Sequence, residues 1–441
     1  MLRLILTGAI ALSTVTSCQS GAPTREILRD DLTVTTYTSR ISNGLSERIA
    51  FDVPAGVDSF LIEVRGDKGL YYLAELVGPD GRDILEGNAF VRRGAREVPG
   101  LVDWLYPNST DLIAQEGQYI LTIRGVNAFT GNNVNEDIKV LIYTAEEKPA
   151  ETCGIYLDFL VDDAALGATT FRDAVDRIYA QVDLNFRQIG IAVADYTISR
   201  VNMQSSDINL GDGSALAIVD DLLKKTVPTL ARENAVHIML VRTIGGSDNP
   251  TFDPYGYSMG LPGPYAADRG TSAVLVSTEL YADASGFLDA DGLASSLTHE
   301  IGHFLGLYHT SERNTGVGLP NHDPIADTPE CENVSACTDD FRRNIMSSSF
   351  WLDGRSPSFR NRFSEAQGQV MRGHPLCEPM PVTVVTPPID ECTFDCTAPE
   401  TCAVTNGRMS CELACNPTRE TPCESGECLA DQLGTYVCTK Q

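Results

Sequence analysis

The spacing of hydrophobic and polar residues changes along the chain and divides it into regions. Apolar and polar residues alternate in short runs at 49–53, 60–64, 119–123 and 138–142. Alternation gives each run one apolar face, as in a half-buried strand. Several such strands with polar turns between them predict an all-β sandwich over residues 31–148. Its preferred role is that of a spacer, and the alternatives are a substrate- or surface-binding module or a folding aid.

From residue 149 the pattern changes to alternating strands and helices. The predicted elements are strands at 155–161, 191–201, 236–241 and 273–277, and helices at 171–189 and 215–226. This alternation predicts an α+β domain over residues 149–377. The strand at 273–277 shortly precedes the stretch richest in histidine, so we interpret it as the edge of the sheet.

One stretch of this domain reads HEIGHFLGLYH. His299 and His303 are four residues apart, so on a helix they share a face and can offer two imidazole nitrogens to one metal ion. Glu300 points into the same space, beside the metal. Gly306 is suited to end the helix, which lets the chain return and place His309 as a third ligand. Three neutral nitrogens suit zinc and leave one position open for water, as in catalytic zinc sites.

The alternative interpretation of this stretch is an amphipathic helix with histidines by chance. Three of the six histidines in the chain fall within these eleven residues, which argues against chance. A separate apolar stripe, Leu293, Leu297, Ile301 and Phe304, supplies the face that packs into the core. His237 lies in a predicted strand without any ligand spacing, and we interpret it as structural.

Composition narrows the class of protein. The chain has 441 residues, of which 42% are hydrophobic, enough for two or three domains. The formal net charge of -27 argues against nucleic-acid binding, which requires basic surfaces, and would favour basic substrates. Thirteen cysteines, eight of them after residue 391, indicate an oxidising compartment.

The N-terminal residues 1–17 have the pattern of an export signal, in which Arg3 precedes an apolar run that ends at Val15. This run is too short to span a bilayer. Cys18 follows in a context that resembles the lipobox of bacterial lipoproteins, which implies lipidation of Cys18. The alternative is an ordinary cleaved signal with an incidental cysteine. Residues 18–30 would then form a tether, and the expected location is the cell envelope, at the outer membrane, or the extracellular space.

The C-terminal region is predicted to contain a linker and a small module. Residues 378–390 are rich in proline and predict a stiff linker. Residues 391–441 contain eight cysteines and no histidine, which favours four disulfides over a zinc-binding knot. Their pairing stays open. This disulfide-rich module resembles EGF-like repeats, which implies contacts rather than chemistry.

Four further cysteines lie in the α+β domain. Cys331 and Cys337 are close enough in sequence to close a small disulfide loop. Cys377 can pair with Cys153 and so tie the end of the domain to its beginning. The alternative for Cys153 is a thiolate that caps the zinc and keeps the site latent.

The zinc motif followed by a methionine resembles the signature of the metzincin metallopeptidases. With the later segments Ala326-Asp327-Thr328-Pro329 and Asn344-Ile345-Met346, it is similar to the pappalysin (cytophagalysin) family over roughly residues 150–376. The resemblance implies a mixed sheet with an active-site helix, and a turn beneath the metal that contains Met346. Many pappalysins have a tyrosine where this chain has Ser348, so stabilisation of an oxyanion would fall on zinc alone.

Related enzymes also bind calcium near the active site. Asp323 and Asp327 offer the oxygen ligands that calcium prefers, and both would equally serve as turn caps. The resemblance therefore implies one catalytic zinc ion and leaves calcium as an open alternative.

The predicted function is that of a zinc-dependent endopeptidase in which Glu300 is the general base toward a zinc-activated water. The expected partner is a protein or peptide substrate, which would add as a strand to the sheet edge at 273–277. We expect no nucleic acid, and contact with a membrane only through the lipid anchor. The β-sandwich and cysteine-rich modules are candidates for surface or protein contacts. The alternatives are a surface-anchored binding or adhesion lipoprotein with a vestigial zinc site, and a zinc hydrolase of non-peptide amides.

Overall fold

The computed structural model describes most of the chain between residues 22 and 439. The described residues are 22–67, 69–86, 99–127, 130–146, 152–161, 171–201, 207–210, 214–226, 232, 234–245, 255–266, 271–282, 288–311, 322–331, 337–348, 360–385, 400–405, 408–413, 427–430 and 436–439. The predicted export signal and Cys18 lie outside them. No helix of the described part is long and apolar enough to cross a membrane.

Nine strands of the N-terminal region form one antiparallel sheet. They are β1 (Thr24–Arg29), β2 (Leu32–Ser42), β3 (Leu45–Ser46), β4 (Ile49–Val53), β5 (Val57–Arg65), β6 (Gly69–Val77), β7 (Leu101–Tyr106), β8 (Gly117–Asn127) and β9 (Glu136–Glu146). The order is β4-β8-β3-β2-β9-β5-β7, with β1 beside β2 and β6 beside β8.

This sheet folds over on itself. The ring of Phe60 on β5 lies 5.5 Å from that of Phe51 on β4 and 5.2 Å from that of Tyr119 on β8. In the strand order β5 and β8 are four steps apart, which in a flat sheet would separate them by about 19 Å. The two halves therefore face each other and enclose an aromatic core that includes Trp104 and Tyr106.

The first strand corrects the prediction that residues 18–30 form a tether. Thr24–Arg29 pairs with β2 in an antiparallel ladder in which Thr24 lies opposite Thr36. This strand is mostly polar and exposed, so it carries no alternating apolar signal. Backbone hydrogen bonds to β2, rather than a buried face, place it in the sheet.

The second sheet belongs to the predicted α+β domain. Its strands are β10 (Cys153–Val161), β11 (Ile191–Arg200), β13 (Val236–Val241), β15 (Gly256–Ser258), β16 (Ala273–Ser277) and β17 (Glu378–Pro379). The order is β11-β10-β13-β16-β15, with β17 beside β10. The first four strands of this order run parallel, and β15 and β17 run antiparallel to their neighbours. Two short strands, β12 (Asp207–Asn209) and β14 (Thr243–Gly245), form a separate parallel pair.

The edge strand beside the histidine-rich helix was predicted wrongly. Ala273–Ser277 is an inner strand, because β15 covers it on the side away from β13. The three residues Gly256–Ser258 form this edge strand within a segment rich in glycine and proline. A strand this short has no alternating pattern that could identify it.

Helices cover both faces of the second sheet. They are α1 (Phe171–Arg187), α2 (Ser214–Thr226), α3 (Ala290–Phe304), α4 (Asp339–Arg343) and α5 (Glu365–Arg372), with a 3-10 turn at Glu279–Tyr281. The buried stripe of α1 includes Val175, Ile178 and Val182, and it shares a core with the buried side of α3. On the opposite face, Val219 and Leu223 of α2 pack with residues of β10 and β13.

The two sheets also share one hydrophobic core. Leu61, Leu105 and Tyr143 of the N-terminal sheet belong to the same buried cluster as Leu305 and Leu307, which follow α3. A spacer domain would not contribute side chains to its neighbour's interior. The N-terminal sheet therefore packs against the α+β domain, which does not fit the predicted role of a spacer.

Two predicted disulfides close loops of the α+β domain. Cys153 is bonded to Cys377, and Cys331 is bonded to Cys337. The first bond excludes a zinc-capping Cys153 thiolate in this structure. It lies beside the pairing of β10 with β17, and the predicted linker is attached here too, since Thr152 Oγ1 donates to Met380 O at 2.7 Å.

The C-terminal region contains two described hairpins. They are β18 (Glu400–Thr405) with β19 (Arg408–Leu413), and β20 (Glu427–Ala430) with β21 (Tyr436–Thr439). Cys402 lies opposite Cys411 in the first ladder, and Cys428 lies opposite Cys438 in the second. The other four cysteines of the predicted module lie outside the described residues.

Candidate metal centre

Helix α3 carries the first two histidines. The helix begins after Asp289, whose side chain accepts a hydrogen bond from Gly292 N at 3.0 Å and caps the free end. The predicted apolar stripe, which includes Leu293 and Leu297, is buried in the shared core. His299 and His303 are also buried, one turn apart, at the end of the helix that meets the N-terminal sheet.

The structure brings three imidazole nitrogens together. His299 Nε2 and His303 Nε2 each lie 3.1 Å from His309 Nε2, and this is the group of potential metal ligands found among the described residues. Zinc–nitrogen bonds of about 2.0–2.1 Å in a tetrahedron separate the nitrogens by about 3.3 Å. The spacing of the three nitrogens therefore fits one zinc ion.

Backbone carbonyls set the tautomer of the two helical histidines. His299 Nδ1 donates to Ile345 O at 2.5 Å, and His303 Nδ1 donates to Leu307 O at 2.7 Å. Because a carbonyl only accepts, the proton is on Nδ1 and Nε2 keeps the lone pair that a metal needs. Burial, followed by the nearby Arg360 guanidinium and the other histidines, holds the pKa of His299 well below its ordinary value. The ring is therefore neutral.

A Schellman motif ends α3 and directs the chain to the third histidine. Leu307 N donates to Gly302 O at 3.0 Å, and Gly306 N donates to His303 O at 2.9 Å. Gly306 has a φ of 108°, in the left-handed region that favours glycine. This turn brings the loop back across the end of the helix and places His309 opposite the other two rings.

Glu300 lies between the helix and the edge strand β15. Its carboxylate is buried, and Oε2 accepts a hydrogen bond from Ser258 N at 2.6 Å. A Cβ on Gly256 would lie only 2.6 Å from Glu300 Cγ, so the strand can approach this closely because residue 256 is glycine. The edge strand therefore holds the carboxylate that the sequence identifies as the candidate base.

Met346 lies under the metal-binding helix. A Cβ on Gly302 would lie 2.6 Å from Met346 Sδ, so the methionine packs directly against the helix backbone between the two histidines. Asn344 Oδ1 accepts from Met346 N at 2.8 Å and fixes the turn. The preceding carbonyl, on Ile345, is the one that orients His299. Met346 is the residue for which the resemblance implies a methionine turn.

The two candidate calcium ligands serve other contacts. Asp323 Oδ1 accepts from Thr328 Oγ1 at 2.6 Å. Asp327 accepts from Ser364 Oγ at 2.6 Å and from Ala366 N at 3.1 Å, which ties it to the start of α5. These are the turn and helix caps that were the alternative to calcium, and calcium finds no support.

Arg360 is a buried cation that sequence reasoning missed, and its Nη1 lies 3.2 Å from His299 Nδ1. Its guanidinium donates to Ser296 Oγ at 3.0 Å and to Ser347 O at 3.3 Å, so it joins α3 to the methionine turn. Ser295 Oγ in turn donates to Arg360 O at 3.0 Å. Burial lowers the pKa of Arg360, while neighbours that include Glu300 act in the opposite direction. A single arginine without local spacing carries no signal in the sequence.

The donor atoms of these residues are of the kind that binds zinc. Three imidazole nitrogens converge, and the buried Glu300 follows His299 directly on the same helix. Three protein ligands leave a position for water or substrate, which distinguishes catalytic from structural zinc sites. This arrangement is that of a candidate zinc hydrolase, of the metallopeptidase type.

Comparison with known families agrees with this class. Residues 264–374 match the family model Peptidase_M43, described as Pregnancy-associated plasma protein-A. The matched segment contains His299, Glu300, His303 and His309 as well as Met346. It is shorter than the predicted range of resemblance, which began near residue 150. The match and the histidine triad together support a zinc metallopeptidase.

Other comparisons give distant likenesses. Archaemetzincin from Methanopyrus kandleri is 17% identical, with a TM-score of 0.29, and the match covers 50% of this chain and 95% of that one. Metalloproteinase-II from Bacteroides fragilis is 14% identical, with a TM-score of 0.26, covering 44% and 59% of the two chains. A chaperone-substrate complex is 13% identical, with a TM-score of 0.26, covering 53% and 36%. No curated protein sequence matches the chain. Likenesses this distant carry no argument about activity.

Proposed function

We propose that the protein is a zinc-dependent endopeptidase with Glu300 as its general base. The observation that carries the proposal is the convergence of three imidazole nitrogens at the end of the helix that also carries the buried Glu300. His299, His303 and His309 would hold the zinc ion.

Bound zinc would acidify a water molecule and polarise the carbonyl of the scissile peptide bond. Glu300 accepts the proton of that water and then delivers it to the leaving amine. Ser258 N donates to Glu300 Oε2 and fixes the position of the carboxylate. The carbonyls that accept from His299 and His303 keep both rings oriented throughout the reaction.

Strand β15 is the proposed docking edge for the substrate. It ends the sheet order among the described strands, and it lies directly against Glu300. An extended peptide that adds to such an edge pairs its backbone with the strand, which suits a peptidase that acts within an unfolded chain. This assignment replaces Ala273–Ser277, which is an inner strand.

The test is the cleavage of a denatured, fluorescently quenched protein by the full chain, with and without a zinc chelator. Glu300→Gln should keep zinc and lose most turnover, while Glu47→Gln, which changes an exposed glutamate far along the sequence, should behave as wild type. Sequencing of internal fragments would establish endopeptidase activity. Cleavage that persists with chelator, or in Glu300→Gln, would refute the mechanism.

We also propose that the protein is exported and anchored through a lipid on Cys18, because the first eighteen residues have the pattern of a lipoprotein signal. Replacement of Cys18 by serine should then release the protein from the membrane fraction. Metabolic labelling with a palmitate analogue measures the lipid directly. If label does not depend on Cys18, the anchor is absent.

A further inference from the structure

The chain that follows the third histidine is held by buried contacts to two other segments of the α+β domain. We propose that Ser311, together with the disulfide-closed segment that it contacts, positions His309 in the geometry that zinc requires. The inference rests on the proposed function, since it concerns the same metal site. It assigns the Cys331–Cys337 bond a part in zinc binding.

The first attachment is made by the backbone of Thr310, the residue directly after His309. Thr310 N donates to Met346 O at 3.1 Å, and Thr310 O accepts from Asp323 N at 3.4 Å. Thr310 is fully buried. The residue next to the third ligand is therefore held between the methionine turn on one side and the segment 322–331 on the other.

The second attachment is made by the side chain of Ser311. This serine is fully buried, and its hydroxyl accepts a hydrogen bond from Cys331 N at 2.9 Å. The same oxygen lies 2.8 Å from His322 Nδ1, to which the hydroxyl can donate its proton. Ser311 and His322 also face each other in an isolated antiparallel bridge. One hydroxyl thus joins the chain just beyond His309 to both ends of the segment 322–331.

The disulfide connects this segment back to the methionine turn. Cys331 is bonded to Cys337, and both pack with Phe341 of α4. Helix α4 ends shortly before Met346. The contacts therefore form a closed circuit, which runs from the third ligand through the disulfide and α4 to the methionine turn. The hydrogen bond from Thr310 N to Met346 O closes it.

Position matters most for the third ligand. His299 and His303 belong to one helix, whereas His309 lies outside it, so its place depends on the path of the chain on both sides. The Schellman motif fixes the side before His309, and the circuit fixes the side after it. A loop that is already ordered loses less conformational entropy when it binds a ligand. Groups that orient a metal ligand change metal affinity by roughly 10–100-fold when they are removed. Zinc should therefore be held less tightly when the circuit is opened.

The chain offers a matched control for each half of the circuit. The Cys153–Cys377 bond has a sequence separation of 224, against 6 for the Cys331–Cys337 bond, and it lies beside the pairing of β10 with β17. Because it closes the longer loop, its loss should cost at least as much stability, without touching the contacts of residues 309–311. Ser59 is a buried serine whose Oγ donates to Gly373 O at 2.7 Å, so it controls for the loss of a buried hydroxyl.

The experiment measures zinc affinity in the full chain by competition with a chromophoric chelator, below the unfolding temperature of each variant. We expect Ser311→Ala, and separately Cys331→Ala with Cys337→Ala, to weaken zinc binding by about tenfold each. At saturating zinc they should lower kcat more than they change KM. The triple variant should lose less than the product of the two effects, because both open the same circuit. Ser59→Ala, and Cys153→Ala with Cys377→Ala, should keep wild-type zinc affinity.

Substitution of cobalt for zinc gives a second readout, because its visible spectrum reports the arrangement of the ligands. The spectrum should change in Ser311→Ala and in the variant without the Cys331–Cys337 bond, but not in the two controls. If Ser311→Ala fails to fold, the cysteine variant tests the inference by itself.

Two results would overturn this inference alone, in a wild type that binds zinc and cleaves peptides. One is a folded Ser311→Ala or Cys331→Ala/Cys337→Ala variant with full zinc affinity and kcat. The other is an equal loss of zinc affinity in the variant without the Cys153–Cys377 bond, which would show that general destabilisation is the cause. If the wild type binds no zinc, the proposed function fails as well.

Discussion

Gly256 limits where the Glu300 side chain can lie, and one added methyl group there tests the assignment of the general base. A Cβ on Gly256 would lie 2.6 Å from Glu300 Cγ and 3.1 Å from Oε1. Carbon atoms in contact need about 3.5–4.0 Å, so the carboxylate or the strand must retreat by about 1 Å. The backbone of Gly256 lies outside the left-handed region, so alanine adds no backbone strain.

A misplacement of about 1 Å in a catalytic group can cost on the order of 100-fold in rate, or about 2.7 kcal/mol in activation free energy. We therefore expect Gly256→Ala to lower kcat by about that factor. Zinc affinity should stay near the wild-type value, because α3 and its following loop hold the three histidines. The distinctive result is a lower kcat together with an unchanged affinity for zinc.

The assay uses the quenched protein substrate for kcat and chelator competition for zinc. Gly78→Ala is the control, because a Cβ there would have Asp80 Oδ1 as its nearest neighbour at 3.3 Å, at the end of a flexible side chain. It should leave both quantities unchanged. A Gly256→Ala variant that keeps kcat within threefold of wild type, at an unchanged Tm, would show that Glu300 does not need this position.

Three further predictions concern stability. Gly302→Ala should lower the Tm, because overpacking against Met346 costs about 1–3 kcal/mol. Over most of that range the cost is larger than the gain in helix propensity, which is about 1 kcal/mol. An unchanged or higher Tm contradicts this prediction. Burial raises the pKa of Asp323 from 3.8 to about 7. The folded state therefore binds this proton more tightly, and the free energy of unfolding should fall as the pH rises from about 4 through about 7. Asp323→Asn should flatten this decline in denaturant titrations at pH 5 and pH 8, and an equal decline in both proteins would refute it. Replacement of Cys153 and Cys377 by alanine opens a covalent loop with a sequence separation of 224, and should cost roughly 2–5 kcal/mol in urea unfolding; a loss below about 1 kcal/mol would contradict this.

Local spacing explains which parts of the site could be predicted from the sequence. His299, Glu300 and His303 lie within one helical turn, and Gly306 marks the end of the helix, so four residues fix most of the geometry. Met346 was placed by family resemblance, and the packing against Gly302 now gives the physical reason for it.

The remaining contacts depend on residues that are distant in sequence. Gly256 and Ser258 reach Glu300 from a short edge strand without apolar alternation. Arg360 reaches the methionine turn and α3 from a segment without any pattern. A single chain offers no periodic signal for such pairings, because they arise only when the sheets and helices pack.

The polar strand β1 was missed for a related reason. The alternation of apolar and polar residues reports a buried face, and Thr24–Arg29 has none. Backbone hydrogen bonds to β2 hold this strand in place, and such bonds do not depend on the pattern of apolar and polar side chains. The same limit applies to the start of the predicted linker, where Glu378–Pro379 pairs with β10.

The closure of the α+β domain has a mechanical consequence. The chain enters at Thr152 and leaves at Met380, and between these points the Cys153–Cys377 bond spans the whole domain. Tension along the polypeptide therefore passes from Cys153 to Cys377 through two sulfur atoms. The 223 residues between those cysteines carry none of that load. A pull on the ends of the protein would stretch the segments outside the loop closed by Cys153 and Cys377. The zinc-binding helix, which lies within this loop, would bear no tension along the chain.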